Sequence, residues 1–587
     1  MWNARWRLGD LWIAHVARVM ADNCLRIYVA LEFARLGEAQ KQSAWHLVTL
    51  LLMLPAVLFA PLNGAVCNSL PKPRVLLWSG MLPLVAIIGF TTLVAPYPGL
   101  LWCWALVAVT AAVNGPVRYA FLPAASRDTH WPLTRINGFF EAGSAAAIIA
   151  GLLVGATMNT PEHQTPDKPF TVGILLAIAV AASVLVWFAS DIRRAESPSQ
   201  AIAGFFTDCR RIWDVKETRG CLLGLASLRG LMTGVMGAFI ITSLDDEQFL
   251  NRLLGIGIWI MGGVAAGSFL AGLQRHPRRV LGLVPWGATG LTIGLVIAAS
   301  GAVPSEAWCV VLGIMVGLVN VPLAATYQGA LPPDARGNGM AVRNFADYLV
   351  TALVAGALFV LGRWAGWSAA EQLWLIAAVA GLLAAWSWRV LIGPVFEQLL
   401  EIVIWPIYRI KGYGPGLDAI PAQGPVLIIA NHTAWMDPVW TAKVIPRRLV
   451  GMLTSVFFDL PVLRWVLTHL AETIRVELSS FRREVPELKR AIAVLDRGDG
   501  VLIFPEGALR KKEENLLKQF GQGVWHILNE RPHTPVVVCW IEGGWGSFFS
   551  YWKGPPTKHK RFDFWRRIQV AVSAPRLIPP EVLADHR

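Results

Sequence analysis

From Leu11 to about Pro394 the chain is a succession of apolar stretches, each near the ~20 residues that cross a bilayer as a helix. They fall at about 11–35, 44–66, 75–96, 99–121, 136–158, 170–190, 219–243, 253–273, 280–301, 306–328, 342–362 and 370–393. Backbone polar groups in hydrocarbon must be satisfied within their own segment, so this pattern allows few folds besides a helical bundle. Composition agrees: 55% of residues are hydrophobic, only 16% are charged, and the mean hydropathy is +0.49. A polytopic α-helical membrane protein is expected. The net charge of +13 brings no basic–aromatic nucleic-acid module, so it points to anionic lipid headgroups and not to nucleic acid. Seven cysteines are scattered without CxxC pairing, which indicates neither a disulfide framework nor a metal site. The start carries Asp10 before any long apolar run and does not read as a removed signal peptide.

Loop charge predicts orientation. Cations cluster before the first stretch (Arg5, Arg7) and after the second (Lys72, Arg74), the fourth (Arg127, Arg135), the sixth (residues 193–219), the eighth (Arg275, Arg278, Arg279) and the tenth (Arg336). Alternate loops are short and cation-poor, which predicts both termini in the cytoplasm. The long basic connection 191–219 divides the helices six and six. Small residues such as Gly262, Gly263 and Gly267 predict close helix contacts.

Charges inside spans are costly and face a cavity or a partner. Candidates are Asp22, Arg26, Glu32, Arg118, Glu141, Arg229 and Asp347, with Glu32 and Arg229 expected near helix ends. They fit a headgroup site, with Arg26 or Arg118 for phosphate and Asp22 or Glu141 for an amine. They fit equally well ion pairs that hold helices together. The six-plus-six division and Gly64-Ala-Val-Cys-Asn68-Ser-Leu-Pro-Lys72-Pro-Arg74, expected in the loop after the second helix, resemble the major facilitator transporters. Gly267–Arg275 stands at the equivalent loop of the second half. Asn68 replaces that motif's usual Asp, which leaves gating to Lys72 and Arg74. Asp22-Asn23-Cys-Leu-Arg26, Pro116–Pro123 around Arg118, and Arg135-Ile-Asn137-Gly-Phe-Phe-Glu141 resemble the bacterial lysophospholipid transporter branch. Arg343, Asn344 and Asp347 echo the last of these in the second half, as a pseudo-repeat would. The resemblance tips Asp22, Arg26 and Glu141 toward transport.

From Pro394 the pattern changes. Residues 394–422, with Trp405 and flanking charge, are expected as an interfacial amphipathic linker. Residues 423–587 alternate strand-length apolar runs (426–430, 501–504, 535–541) with helical stretches such as 485–497, which predicts a cytoplasmic α/β domain. The first run enters Asn431-His432-Thr-Ala-Trp-Met-Asp437, the second Phe504-Pro-Glu506-Gly507-Ala-Leu-Arg510. A histidine held by a carboxylate is a usable general base, and a helix beginning near Thr433 would let Asp437 reach back. Together the blocks resemble the glycerophospholipid acyltransferase family, with Ala508 and Leu509 departing from its pattern. The resemblance implies His432 as general base and Asp437 as its orienting carboxylate. It further implies Asn431, Glu506, Gly507, Arg510 and Arg475 around the glycerophosphate, and no bound cofactor or metal.

Joined, the two resemblances imply a bacterial inner-membrane protein that moves lysophospholipid from the outer to the inner leaflet and re-acylates it. The acyl donor is expected preformed, on acyl carrier protein or coenzyme A, because no acyl-activating domain precedes the end at Arg587. Two rivals stay open: a lysophosphatidate acyltransferase joined to a lipid exporter, and a solute-efflux transporter with a degenerate C-terminal domain.

Overall fold

The computed structural model describes residues 2–34, 53–93, 96–157, 177, 180, 198–243, 249–274, 276, 278–301, 306–421, 424–477, 486–514 and 516–584. The chain divides into two compact units, Met1–Arg389 and Val390–Arg587.

The first unit is helical: α1 (Trp2–Ala34), α2 (Ala60–Ser69), α3 (Lys72–Leu93), α4 (Pro96–Thr129), α5 (Leu133–Thr157), α6 (Pro198–Asp214), α7 (Lys216–Ser243), α8 (Phe249–Gly272), α9 (Leu283–Ala299), α10 (Glu306–Ala330), α11 (Arg336–Trp364) and the part of α12 (Ala369–Ile404) up to Arg389. Among the described residues, eight helices are long and apolar enough to cross a membrane. Apart from residues 177 and 180, the stretch expected at 170–190 lies outside the described residues, as does 44–66 before residue 53.

Glycine lets the backbones approach. A Cβ on Gly263 would come within 2.1 Å of the Val310 carbonyl oxygen, and one on Gly267 within 2.2 Å of that of Ile314. Gly313 and Gly317 answer from α10, where a Cβ would come within 2.0 Å of the Ile260 carbonyl oxygen and 2.5 Å of the Ser268 nitrogen, respectively. Without a hydrophobic drive between helices in lipid, such contact is what packs them. Gly262, one residue off this seam, meets nothing.

Four expectations for this unit are corrected. Gly64 to Ser69 is not loop but the C-terminal part of α2; the chain turns only at Leu70 and Pro71, and Lys72 already begins α3. Gly267 to Gly272, expected at the equivalent loop of the second half, is likewise the end of a helix, α8. The basic connection 191–219 carries a helix of its own, α6, whose polar and apolar residues segregate. Phe205 packs with Ala60 and Ala341, while Asp208 accepts a hydrogen bond from Asn338 at 2.6 Å. Arg229 sits midway along α7, away from either end, since ten or more residues of helix lie on each side of it.

In the second unit a seven-stranded sheet has the order β1-β7-β6-β2-β5-β3-β4. The strands are β1 (Tyr408–Tyr413), β2 (Val426–Ala430), β3 (Leu449–Thr454), β4 (Ile474–Val476), β5 (Gly500–Ile503), β6 (Val536–Glu542) and β7 (Arg566–Val572). β2 is central and parallel to β5 and β6. Its side chains alternate between two cores: Val426, Ile428 and Ala430 enter one, Leu427 the other. That explains an apolar run with no polar face. Connecting helices include α13 (Asp437–Val444), α14 (Pro461–His469), α15 (Pro486–Asp496) and α16 (Gly523–Glu530).

The expected linker 394–422 is not one element. α12 continues to Ile404 past a non-helical Leu391 (φ −106°, ψ 17°), and Tyr408–Tyr413 becomes β1, paired with β7. Leu400, Ile404 and Tyr408 belong to the sheet's core, so burial there decides the path.

Candidate functional site

His432 and Asp437 meet in the turn that leaves β2. Asp437 begins α13, whose N-cap is Met436, so no helix starts near Thr433. Residues 431–434 turn instead, and Ala434 bridges to Ser550. The fully buried Asp437 carboxylate accepts from the Thr433 and Ala434 N–H groups, the latter at 2.8 Å, and from the Thr433 hydroxyl at 3.1 Å. Anchored this way, it lies 3.0 Å from Nδ1 of His432. Nδ1–H is then the donor, which leaves Nε2 as the ring nitrogen free of that contact and able to accept a proton. The imidazole stacks on Phe504 with ring centroids 4.2 Å apart.

The second motif braces the first. Glu506 is buried, and its Oε1 accepts the His432 backbone N–H at 2.9 Å while Oε2 accepts that of Lys518 at 3.0 Å. The Arg510 N–H donates to the His432 carbonyl at 2.9 Å. Gly507 turns the chain at φ +62°, a conformation costly for a residue with a side chain. Asn431 exchanges two hydrogen bonds with the Ile541 backbone, at 2.6 and 3.0 Å, tying β2 to β6.

The expected phosphate contacts stand differently. Arg510 donates to the carbonyl oxygens of Lys512 and Glu513 and lies over the Trp545 ring at 4.5 Å, which makes it a brace of its own loop. Arg475, on β4, gives its guanidinium to Asp459 at 2.7–3.1 Å and to Glu477 at 2.9 Å. β4 is three strands from β2, about 14 Å at ~4.8 Å per strand. Glu506 serves the His432 and Lys518 backbones, because burial demands that both its oxygens be satisfied.

In the helical unit, Asp22 pairs with Arg18 at 2.8 Å, and Arg18 also donates to the Ser79 carbonyl and the Thr110 hydroxyl. Arg118 donates to Nδ1 of His15 at 2.9 Å; His15 Nε2 lies 2.6 Å from the Ser144 hydroxyl. Arg18, Asn114 and Arg118 line one small cavity with Leu11, Ala14, Leu76 and Gly80. Glu141 accepts from Tyr119 at 3.0 Å, and Arg343 stands 3.7 Å from Asp347. Asn137 and Gln328, both buried, exchange two 2.9 Å hydrogen bonds between α5 and α10. Asn23 donates back to Val19 within α1. Lys72 is buried and Arg74 exposed. The Arg26 side chain lies outside the described residues.

Residues 11–355 match the family model described as Major Facilitator Superfamily. The chain belongs to the Major Facilitator Superfamily. To this superfamily unit an acyltransferase domain is joined, since residues 415–542 match the Acyltransferase family model. Relatives include the lysophospholipid transporters LplT of Salmonella paratyphi A and Salmonella typhimurium strain LT2. Each is 28% identical over 347 residues, covering 56% of this chain and 82% of the relative. The human organic anion transporter MFSD10 (TETRAN) superposes on the superfamily unit with a TM-score of 0.52 at 14% identity. It covers 65% of this chain and 99% of that structure, which shows the shared fold.

Sequence reading missed His15, Arg18, Asn114 and Gln328 as members of the superfamily unit's buried polar clusters. Two carried a signal: Arg18 stands four residues before Asp22 and His15 three before Arg18, on one face of α1.

Proposed function

We propose that the chain is a bifunctional phospholipid-repair protein of the bacterial inner membrane. Its superfamily unit carries a lysophospholipid, such as lysophosphatidylethanolamine, from the outer to the inner leaflet. Its acyltransferase domain, with both termini, faces the cytoplasm and restores the second acyl chain. The observation that carries the enzymatic half is the 3.0 Å His432–Asp437 contact, made through Nδ1, on a chain whose other unit resembles lysophospholipid transporters.

In this reading, Nε2 of His432 takes the proton of the lysolipid hydroxyl while the hydroxyl oxygen attacks the carbonyl carbon of the acyl thioester. Asp437 holds the imidazolium that forms. The tetrahedral intermediate expels the thiolate, which receives the proton back from His432, leaving an ester and a thiol. No covalent acyl-enzyme is needed. The donor is a preformed thioester on acyl carrier protein or coenzyme A. Twelve spans in two groups of six complete the topology, by analogy with the superfamily.

The test uses purified protein in liposomes, with radiolabelled lysophosphatidylethanolamine in the outer leaflet and acyl carrier protein thioester on the acyltransferase side. Diacyl product from wild type, with His432→Ala importing lysolipid without acylating it, is expected. Product only from lysolipid already on the acyltransferase side would remove the transport half. Acceptance of lysophosphatidate alone would favour the new-synthesis enzyme, and unchanged lipids with His432→Ala the efflux transporter.

A further inference from the structure

The edge of the C-terminal sheet that carries His432 also carries an aromatic and cationic rim. Because β2, β5 and β6 are parallel, Ala430, Ile503 and Glu542 end on one edge. β7 runs antiparallel to β6, and β1 parallel to β7, so the first residues of both strands, Arg566 and Tyr408, lie on that edge too. Trp405 stands just before β1; Phe562, Phe564 and Trp565 stand just before β7. Trp405 and Trp565 pack edge to face at 5.0 Å, and Phe562 meets Phe564 at 5.3 Å. All four remain exposed, Phe564 at 68% and Trp405 at 60%. A contiguous exposed apolar patch rimmed by charge marks an interaction site.

The platform has a set shape. Four of the six non-glycine residues with positive φ among the described residues, Lys553, Thr557, His559 and Trp565, fall in the excursion between β6 and β7. Such conformations persist only when neighbours hold them. Here the Thr557 N–H donates to the Phe548 carbonyl at 2.9 Å, and Lys560 Nζ donates to the Ser550 and Gly554 carbonyls. The excursion lies beyond the matched residues 415–542, so the family match does not account for it.

Two observations select a lipid surface as the occupant. Trp405 directly follows the end of α12, where Ile402 and Val403 are also exposed, so the apolar rim continues along the chain ahead of β1. The charge is also complementary to anionic lipid. Arg409 covers Trp565 at 4.7 Å, and Arg561 and Arg567 are exposed beside the aromatics, whereas Asp563 is neutralised by Arg566 at 2.8 Å. Aromatic rings at the interface with cations toward the headgroups are the arrangement that holds a protein on a membrane. We propose that Trp405 and the excursion ending at Trp565 dock on an anionic bilayer and hold the His432 edge against it, resting on the reading that the acyl acceptor is a bilayer lipid.

The test places an environment-sensitive nitrobenzoxadiazole dye at Phe564→Cys in the full chain, in a Cys103→Ser, Cys209→Ser background. The protein is reconstituted with phosphatidylethanolamine and phosphatidylglycerol. A control dye sits at His533→Cys, exposed ahead of β6 on the opposite edge. Blue-shifted emission at 564, quenched by lipids with a shallow nitroxide and weakened without phosphatidylglycerol, with neither effect at 533, is expected. A water-exposed dye at 564 overturns the proposal. So does a dye that responds only to added acyl carrier protein, which would make the rim a protein dock. A second variant, Phe564→Asp with Arg561→Glu, should raise KM for bilayer lysolipid about tenfold and leave turnover of dispersed short-chain lysolipid intact. Equal loss on both substrates would mean a folding role and sink the idea. Absence of acyl transfer by wild type on either substrate would defeat the enzymatic reading instead, and the dye reports docking independently of it.

Discussion

The Glu506 carboxylate accepts the backbone N–H of His432 at 2.9 Å, although the two residues are 74 positions apart. Its other oxygen holds the Lys518 N–H, so one buried side chain joins the turn after β2 to the loop after β5. Glu506→Gln would turn an amide toward one of these N–H donors and leave it unsatisfied. A loss of about 1–3 kcal/mol in stability is expected. Turnover should fall while KM for both substrates stays near the wild-type value, read by thermal unfolding beside steady-state kinetics. An unchanged turnover would mean that His432 does not depend on this brace.

Asp437→Asn should separate orientation from charge. The amide can still meet the Thr433 and Ala434 N–H groups through its oxygen, but it no longer stabilises the imidazolium on His432. Turnover should drop by about 10²–10⁴-fold with lysolipid import retained, as for His432→Ala. Full acyl transfer by either variant would dismiss the general-base mechanism.

Asn137→Ala should do the reverse. It strands the buried Gln328 amide on α10, a penalty of about 1–3 kcal/mol in the helical unit. Lysolipid import should fall, and acylation of lysolipid supplied in detergent should not. A combined Asn137→Ala, Gln328→Ala variant should recover part of the lost stability, because neither amide is then left alone.

Low pH should weaken the acyltransferase domain through Glu472. Burial works to raise its carboxyl pKa, but the Arg448 and Arg497 guanidiniums outweigh it and hold the group below the usual carboxylate range. A depressed carboxyl contributes stability that is complete above the unfolded pKa and is lost as pH falls through the folded one. Unfolding midpoints followed downward from about pH 5 should therefore fall less steeply in Glu472→Gln than in wild type. Parallel curves would remove this pair from the acid response.

Cys539, buried in β6 with its thiol pushed up to about 12 by that burial, should resist maleimide in the folded protein. The same residue should react once the domain is denatured. Mass spectrometry of the β6 peptide would read both states.

Much of this protein is local chemistry and was legible in its sequence. Apolar runs of bilayer length had to become helices, and the runs at 426–430 and 501–504 had no polar face, so they had to be covered on both sides. His432 and Asp437 are close enough in the chain for one turn to join them. The pairings between distant positions were not legible, because nothing at either position announces its partner. Nothing at Glu506 announces that its oxygens take the backbone N–H groups of His432 and Lys518. Arg475 reads as a phosphate ligand until Asp459 and Glu477 are found beside it. Tyr408–Tyr413 reads as linker until β7, from the far end of the chain, supplies its hydrogen-bonding edge. The reason is physical: periodicity and length report what a segment must bury, whereas the partner of a buried polar group is settled only when the chain closes around it.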